Sequence, residues 1–334
     1  MKKLFQISFV SFILISNYMV GQQKLSLNDA VKITLENNLD IKIVENQDEI
    51  FKNNASFLNS GYLPTISSNA GINKSEQNIE IETPNNLSGK LDNMKSENSY
   101  SNISLNYILL DNSGRNFNYK KSKELSNRSK LEVKEVIENT LLQLFTVYYE
   151  VCRLFEEREI IKSSLEISKT RLERKNTEFE FGQSTKLEVL NAEVDVNTDS
   201  IKLLSSIKNL SNAKRDLNLI MNVELNSNYD LDRNVIYNSK DKISEFYKNA
   251  AENNTRLKIY DKSVDISNYE LKSIKSTYLP TIGLVGSYDW NESINDNPYA
   301  FFNKNIYDGI SGGINLSWNI FNSGKRITAN KNAK

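Results

Sequence analysis

Two parts of this chain align with each other, so a fold that suits the first must also suit the second. Glu36-Asn37-Asn38 returns as Glu252-Asn253-Asn254, and Lys42-Ile43 returns as Lys258-Ile259. Tyr62-Leu63-Pro64-Thr65-Ile66 returns as Tyr278-Leu279-Pro280-Thr281-Ile282 at the same spacing, without a gap. Further on, Ile103-Ser104-Leu105-Asn106-Tyr107 matches Ile314-Asn315-Leu316-Ser317-Trp318, and Asn112-Ser113-Gly114-Arg115 matches Asn322-Ser323-Gly324-Lys325. Residues 22–240 are assigned to the first copy and residues 241–334 to the second.

Each copy opens with a helical pattern, over residues 25 to about 59 and 242 to about 276. Ser26 with Asp29 reads as a capping box, and Leu27, Ala30, Val31, Thr34 and Leu35 form a stripe at helical period. Pro64 and Pro280 push Leu63 and Leu279 out of helical geometry, so these four residues are expected to open strands. The pattern then changes to period two. Ile66, Ser68, Ala70 and Ile72 alternate with polar neighbours, as do Ile103, Leu105, Tyr107 and Leu109. In the second copy one stripe is Ile282, Leu284, Tyr288 and Trp290, and the other is Ile314, Leu316, Trp318 and Ile320.

Strands of about ten residues with one apolar and one polar face suit a transmembrane barrel, and the second stripe is read as its lipid-facing side. A half-buried soluble sheet gives the same alternation. Polar stretches at residues 75–99 and 291–309 read as long loops, which favour the barrel. Four strands cannot close alone, because the smallest membrane barrels use about eight. Several chains would have to share one barrel.

No proline or glycine interrupts residues 116–181, where Ile137, Leu141, Leu144, Tyr148, Val151 and Phe155 step alternately by four and three. A helix of that span reaches roughly 100 Å and is too charged to lie within a bilayer. Gly182 stops it, and Ser184 or Thr185 caps a returning helix. That helix carries Val189, Val196, Leu203, Leu210 and Leu217 at heptad spacing. The opening and returning helices together about equal the long one, and they are expected to stack end to end beside it.

The start of the chain reads Met1-Lys2-Lys3, an apolar run to Val20, then Gly21-Gln22-Gln23, which is the order of a secretory leader over residues 1–21. A retained anchor is the alternative. Only 12 Gly and 4 Pro occur in 334 residues, too few for many short elements, and 42 basic residues balance 42 acidic ones. That balance gives no electrostatic case for nucleic acid. Cys152 is the single cysteine and sits in an apolar helical run, as a small core residue would. With no His and no Gly-rich phosphate loop, the sequence gives no catalytic set, zinc cluster or cofactor site. Tyr62, Tyr278, Trp290 and Tyr299 lie near strand ends, as an interfacial aromatic belt or as ordinary packing.

Taken in order, these features resemble the TolC-like outer-membrane efflux protein family. The residues that carry the resemblance are the leader, the paired repeats, Leu-Pro-Thr-Ile at each strand opening, and second strands ending in Leu-Leu-Asp-Asn-Ser-Gly or Ile-Phe-Asn-Ser-Gly. The tip Gly182-x-x-Thr185-x-x-Glu188-Val189-Leu190-x-Ala192 completes the set. The resemblance implies a mostly α fold with a small β part. Long antiparallel coiled helices form an α-helical barrel, and four strands contribute to a shared transmembrane β-barrel. It implies a homotrimer in outer-membrane lipid, with helices in the periplasm, that works without a cofactor. It also implies a periplasmic adaptor protein and an inner-membrane pump as partners, in efflux or type I secretion.

The same resemblance places Phe181, Gly182, Thr185, Leu187, Glu188, Val189, Leu190 and Ala192 at the periplasmic tip, where the adaptor makes contact. Glu188 stands where the family usually has Asp. It forms an acidic ring or pairs with a basic residue, or else it is a solvated charge at a helix start. The second copy reaches only Lys334, short of a second helical hairpin, so the chain is expected to be a fragment or a truncated product. A structural or adhesive surface protein, with its coils as spacer and its strands as a soluble sheet, is the competing reading.

Overall fold

The computed structural model describes residues 24–82, 88–235, 240–248, 250–296 and 302–334. The expected leader and Tyr299 lie outside them. The chain divides into two compact units. One takes Met1–Gln47 and Leu131–Leu257, the other Asp48–Lys130 and Lys258–Lys334, so each unit draws on both repeats.

In the first unit, helix α1 (Leu27–Asn37) begins with the expected capping box: Ser26 Oγ accepts from the Asp29 amide, and the Ser26 amide donates back to the Asp29 carboxylate. The single opening helix expected to residue 59 is instead broken at Asn38, and α2 (Leu39–Asn54) follows. Asn38 leaves helical geometry at ψ 131°, and its Oδ1 accepts from the amides of Asp40 and Ile41 at 3.0 and 3.2 Å. A short polar side chain that satisfies the backbone locally competes with the helix ladder. The second copy breaks at the matching residue. There α5 (Lys240–Lys248) and α6 (Ala250–Asn253) precede α7 (Thr255–Ser276), and Asn254 Oδ1 accepts from the Leu257 amide.

The long helix, α3 (Gly114–Glu180), has 67 residues and the returning helix, α4 (Lys186–Met221), has 36. They run antiparallel: Ser168 donates to Asp199 at 2.6 Å, Arg171 pairs with Asp195 at 3.6 Å, and Lys175 pairs with Glu188 at 2.8 Å. Their seam is the one the heptad spacing predicts. Leu144, Tyr148 and Val151 from α3 join Leu210 and Leu217 from α4 and Ala30 from α1 in one core. The Tyr148 hydroxyl donates toward the carbonyls of Leu25 and Asp232, 2.9 and 2.8 Å away, and so fixes the chain on either side. Cys152 is buried in the same core, and burial pushes its thiol above the usual range, which suits a packing residue. No described helix is long and apolar enough to cross a membrane.

The second unit is built around a four-stranded antiparallel sheet in the order β1 (Thr65–Glu82), β2 (Ser88–Leu110), β3 (Thr281–Asn295), β4 (Lys304–Ser317). β1 and β3 begin at the residue after Pro64 and Pro280, as predicted. The strands are longer than expected, and much of the stretches 75–99 and 291–309 is strand rather than loop. Cross-strand polar pairs hold these outer parts: Lys74 with Glu97 at 3.0 Å, Lys304 with Glu292 at 2.7 Å, and Ser75 with Ser96 at 2.8 Å. At its other end β4 stops earlier than the stripe predicts. Trp318 and Ile320 lie beyond Ser317, because the residue facing Trp318 is Pro280, which has no amide to extend the ladder.

The strand-to-helix junctions repeat one device. Arg115 donates to the carbonyls of Gly61 and Leu109 and lies 5.0 Å over the Tyr62 ring. Arg326 donates to the carbonyls of Thr277, Asn319 and Ile320 and lies 4.9 Å over the Tyr278 ring. Sequence identity pairs Arg115 with Lys325, but the clasp falls to Arg326. The reason is the helix start: α3 begins at Gly114 and α8 (Lys325–Asn332) begins at Lys325, so the second residue of each helix faces back to the turn.

Candidate functional site

The ladder registers decide which side chains share a face, because residues directly opposite in a sheet point the same way. Ile66 pairs with Leu105, Ile103 with Tyr288, Tyr107 with Leu284, Ile282 with Leu316, and Leu284 with Ile314. The apolar stripes of all four strands therefore lie on one face. Ile66, Ile72, Ile103, Ile310, Ile314 and Leu316 are exposed on it. An exposed apolar face of this extent marks a surface that something else covers. Leu63 and Leu279 at the strand openings are exposed as well, beside Pro64 and Pro280, and so are Trp318 and Ile320 past the end of β4.

The opposite face is polar. Ser67, Ser104, Ser287 and Ser311 form one row across the four strands, with Ser67 to Ser104 and Ser287 to Ser311 each at 2.8 Å between hydroxyls. The next row is Asn69, Asn102, Asp289 and Gly309. Asn102 donates its amide to Asp289, and the Ser287 hydroxyl donates to the other carboxylate oxygen at 2.5 Å. In the row beyond, the Tyr100 ring covers Gly71, where a Cβ would come within 2.7 Å of the Tyr100 hydroxyl oxygen. Aromatic cover of a strand glycine is a common way to hold a curved sheet.

The helical tip belongs to the other unit. α3 ends in a Schellman turn, with Gly182 at φ +73°, its amide donating to the Phe179 carbonyl and that of Gln183 to the Glu178 carbonyl. Thr185 caps α4 by accepting from the Glu188 amide. Of the predicted tip residues, Val189 and Ala192 are buried in the hairpin seam, while Phe181, Leu187 and Leu190 are exposed. Glu188 accepts from Lys175 and from Ser184, each at 2.8 Å. The Lys175 hydrogen bond, with that of Ser184, holds its carboxyl below the usual range, and Lys175 itself is raised by Glu178 and Glu188. The acidic residue is thus tied to a lysine of its own hairpin.

Heptad reading finds one seam on α4. The helix also exposes Leu187, Leu190, Val194, Ile201 and Leu204, a second apolar stripe with spacings of three, four and seven. The signal was present in the sequence, but a single-seam template assigns only one face of the helix.

A two-faced antiparallel sheet and a long helical hairpin in one chain make this the fold of an outer-membrane channel. It is similar to the CmeC outer membrane channel of Campylobacter jejuni (TM-score 0.72, 16% identity, covering 92% of this chain and 64% of that one). It is similar also to VceC of Vibrio cholerae (TM-score 0.70, 11% identity, 92% and 71% covered) and to the open-state MtrE channel of Neisseria gonorrhoeae (0.59, 15%, 92% and 66%). The chain thus spans somewhat less than two thirds of the Campylobacter channel. The outer membrane efflux protein family matches residues 30–223, more than half of the 334, and the chain belongs to that family. No curated protein sequence matches it.

Proposed function

We propose that this chain is the outer-membrane duct of a multi-part efflux or type I secretion system, a passive conduit from periplasm to exterior that assembles as a homotrimer. The observation that carries the reading is the sheet. Its four strands put their apolar residues on one face and Ser, Asn and Asp on the other, which is the division between lipid and water in a membrane barrel. Among the described residues, the outer edges of β1 and β4 have no strand partner. Open edges are not tolerated in hydrocarbon, so the sheet must close against copies of itself. A soluble sheet, as an adhesive spacer protein would have, leaves the apolar face uncovered.

Ile314 and Leu316 then face outer-membrane lipid, and the strand-opening residues Leu63, Pro64, Leu279 and Pro280 mark where the chain enters it. Val194, Ile201 and Leu204 of the second stripe on α4 pack against neighbouring helices of a periplasmic barrel. Phe181, Leu187 and Leu190 at the tip present apolar contacts to a periplasmic adaptor, which links the duct to an inner-membrane pump. Val189 and Ala192 hold the hairpin beneath them, Gly182 and Thr185 shape the turn, and Glu188 clamps it through Lys175.

Fractionation and gel mobility of the untagged protein test this reading. Recovery in the outer membrane as trimers that dissociate on heating is the expected result. Recovery only as a soluble periplasmic monomer contradicts it.

A further inference from the structure

We infer that Asp289 is a selectivity residue of the duct, a fixed negative charge on the water-facing side of the sheet that makes the pore prefer cations. The inference rests on the channel reading above. Parity along the four registers carries it. On the polar face, the paired positions run through residues 65–77 of β1, 96–106 of β2, 281–295 of β3 and 305–317 of β4. Among these described positions, Asp289 is the single charged side chain; the others are Ser, Asn, Gly and a few Thr, Tyr, Gln and Val. The other charges at these paired positions, Lys74, Glu76, Lys95, Glu97, Glu292, Lys304 and Asp308, fall on the opposite face.

A lone charge on a neutral wall sets the local field, and repeated around a barrel it forms a ring that selects by sign. The geometry holds the Asp289 carboxyl in place. Both of its oxygens accept, one from the Asn102 amide and one from the Ser287 hydroxyl, and neither donor neutralises it. Its neighbour on β4 is Gly309, where an added Cβ would meet nothing within 4 Å, so one flank of the carboxylate opens to the pore. The serine row lies one step along the same face and offers hydroxyl oxygens to a hydrated cation.

Reversal potentials of the purified full-length protein in planar bilayers, across a tenfold KCl gradient, test this. The parent is expected to pass potassium severalfold more readily than chloride. Asp289→Asn keeps an oxygen to accept from Asn102 and turns an amide donor toward the Ser287 hydroxyl oxygen while removing the charge, and the permeability ratio should fall toward one, while Asp289→Glu keeps it. Should Asp289→Asn fail to assemble, Gly309→Lys sets a cation in the same open row and should cancel the preference. Conducting channels whose ratio is unchanged in Asp289→Asn or Gly309→Lys overturn the inference and leave the channel reading intact. A parent that gives no conducting events overturns the channel reading and the inference with it.

Discussion

Asn38 and Asn254 occupy matching places in the two repeats and interrupt matching helices, yet the structure predicts unequal costs for removing them. Asn38 is buried and has two tasks: its Oδ1 caps α2, and its Nδ2 donates to the Ile220 carbonyl at the end of α4, at 2.9 Å. Asn254 is exposed and caps α7 through the Leu257 amide. In Asn38→Ala, loss of the cap costs about 1 kcal/mol and loss of the amide-to-carbonyl bond about 1 more, while alanine's better helix propensity returns roughly 0.5. The net is about 1.5 kcal/mol. For Asn254→Ala the same reasoning leaves about 0.5 kcal/mol. In a unit of this size 1 kcal/mol moves the midpoint by about 2–4 °C, so Asn38→Ala should melt lower than Asn254→Ala by about that much. Circular dichroism melts in detergent supply the comparison, and hydrogen exchange at the Ile41 amide locates the change. Equal midpoints, or a higher midpoint for Asn38→Ala, would refute the assignment, since a fused α1–α2 helix would then be the better structure.

Leu217 and Leu187 lie on the same helix at 0% and 67% exposure. Leu217→Ala should cost about 2–5 kcal/mol as a core cavity, and Leu187→Ala should leave the melt within about 0.5 kcal/mol of the parent. Arg326→Ala removes three bonds to carbonyls and the contact with Tyr278, so hydrogen exchange should quicken around residues 318–322. Arg326→Lys should not restore it, because an ammonium cannot span three carbonyls as the planar guanidinium does. At the tip, the folded-state pKa of Glu188 is lowered, so its clamp is fully present above the ordinary carboxylate range and is lost as pH falls through the lowered value. Glu188→Gln should therefore speed exchange of the tip amides at neutral pH, and parent and variant should converge in acid. A difference that persists unchanged into acid would remove the clamp.

The repeat and its element order are legible because Pro, Gly and the apolar period each act locally. Pro64 and Pro280 start strands, Gly182 ends α3, and the heptads of α3 and α4 meet at Leu144, Tyr148 and Leu217. The features that escaped depend on pairing. The strands outlast their apolar stripes because Lys74 meets Glu97 and Lys304 meets Glu292, and neither pair exists until the register is known. Trp318 drops out of β4 because a proline immediately precedes the neighbouring strand. The Arg326 clasp was hidden by the Asn-Ser-Gly match, which aligns letters one residue out of step with the helix start. Asn38 offered only a weak cue, an asparagine pair inside a good helical period. Asp289 was visible as a charge at polar parity, but a search for apolar stripes passes over it.

Single-channel recording on the purified protein is the direct test of the proposed conduit. Discrete conductance steps in planar bilayers are the expected result for the proposed barrel, whose strands would turn their polar face to the lumen. Protein recovered from the outer membrane that leaves the conductance at the level of the bare bilayer would contradict it.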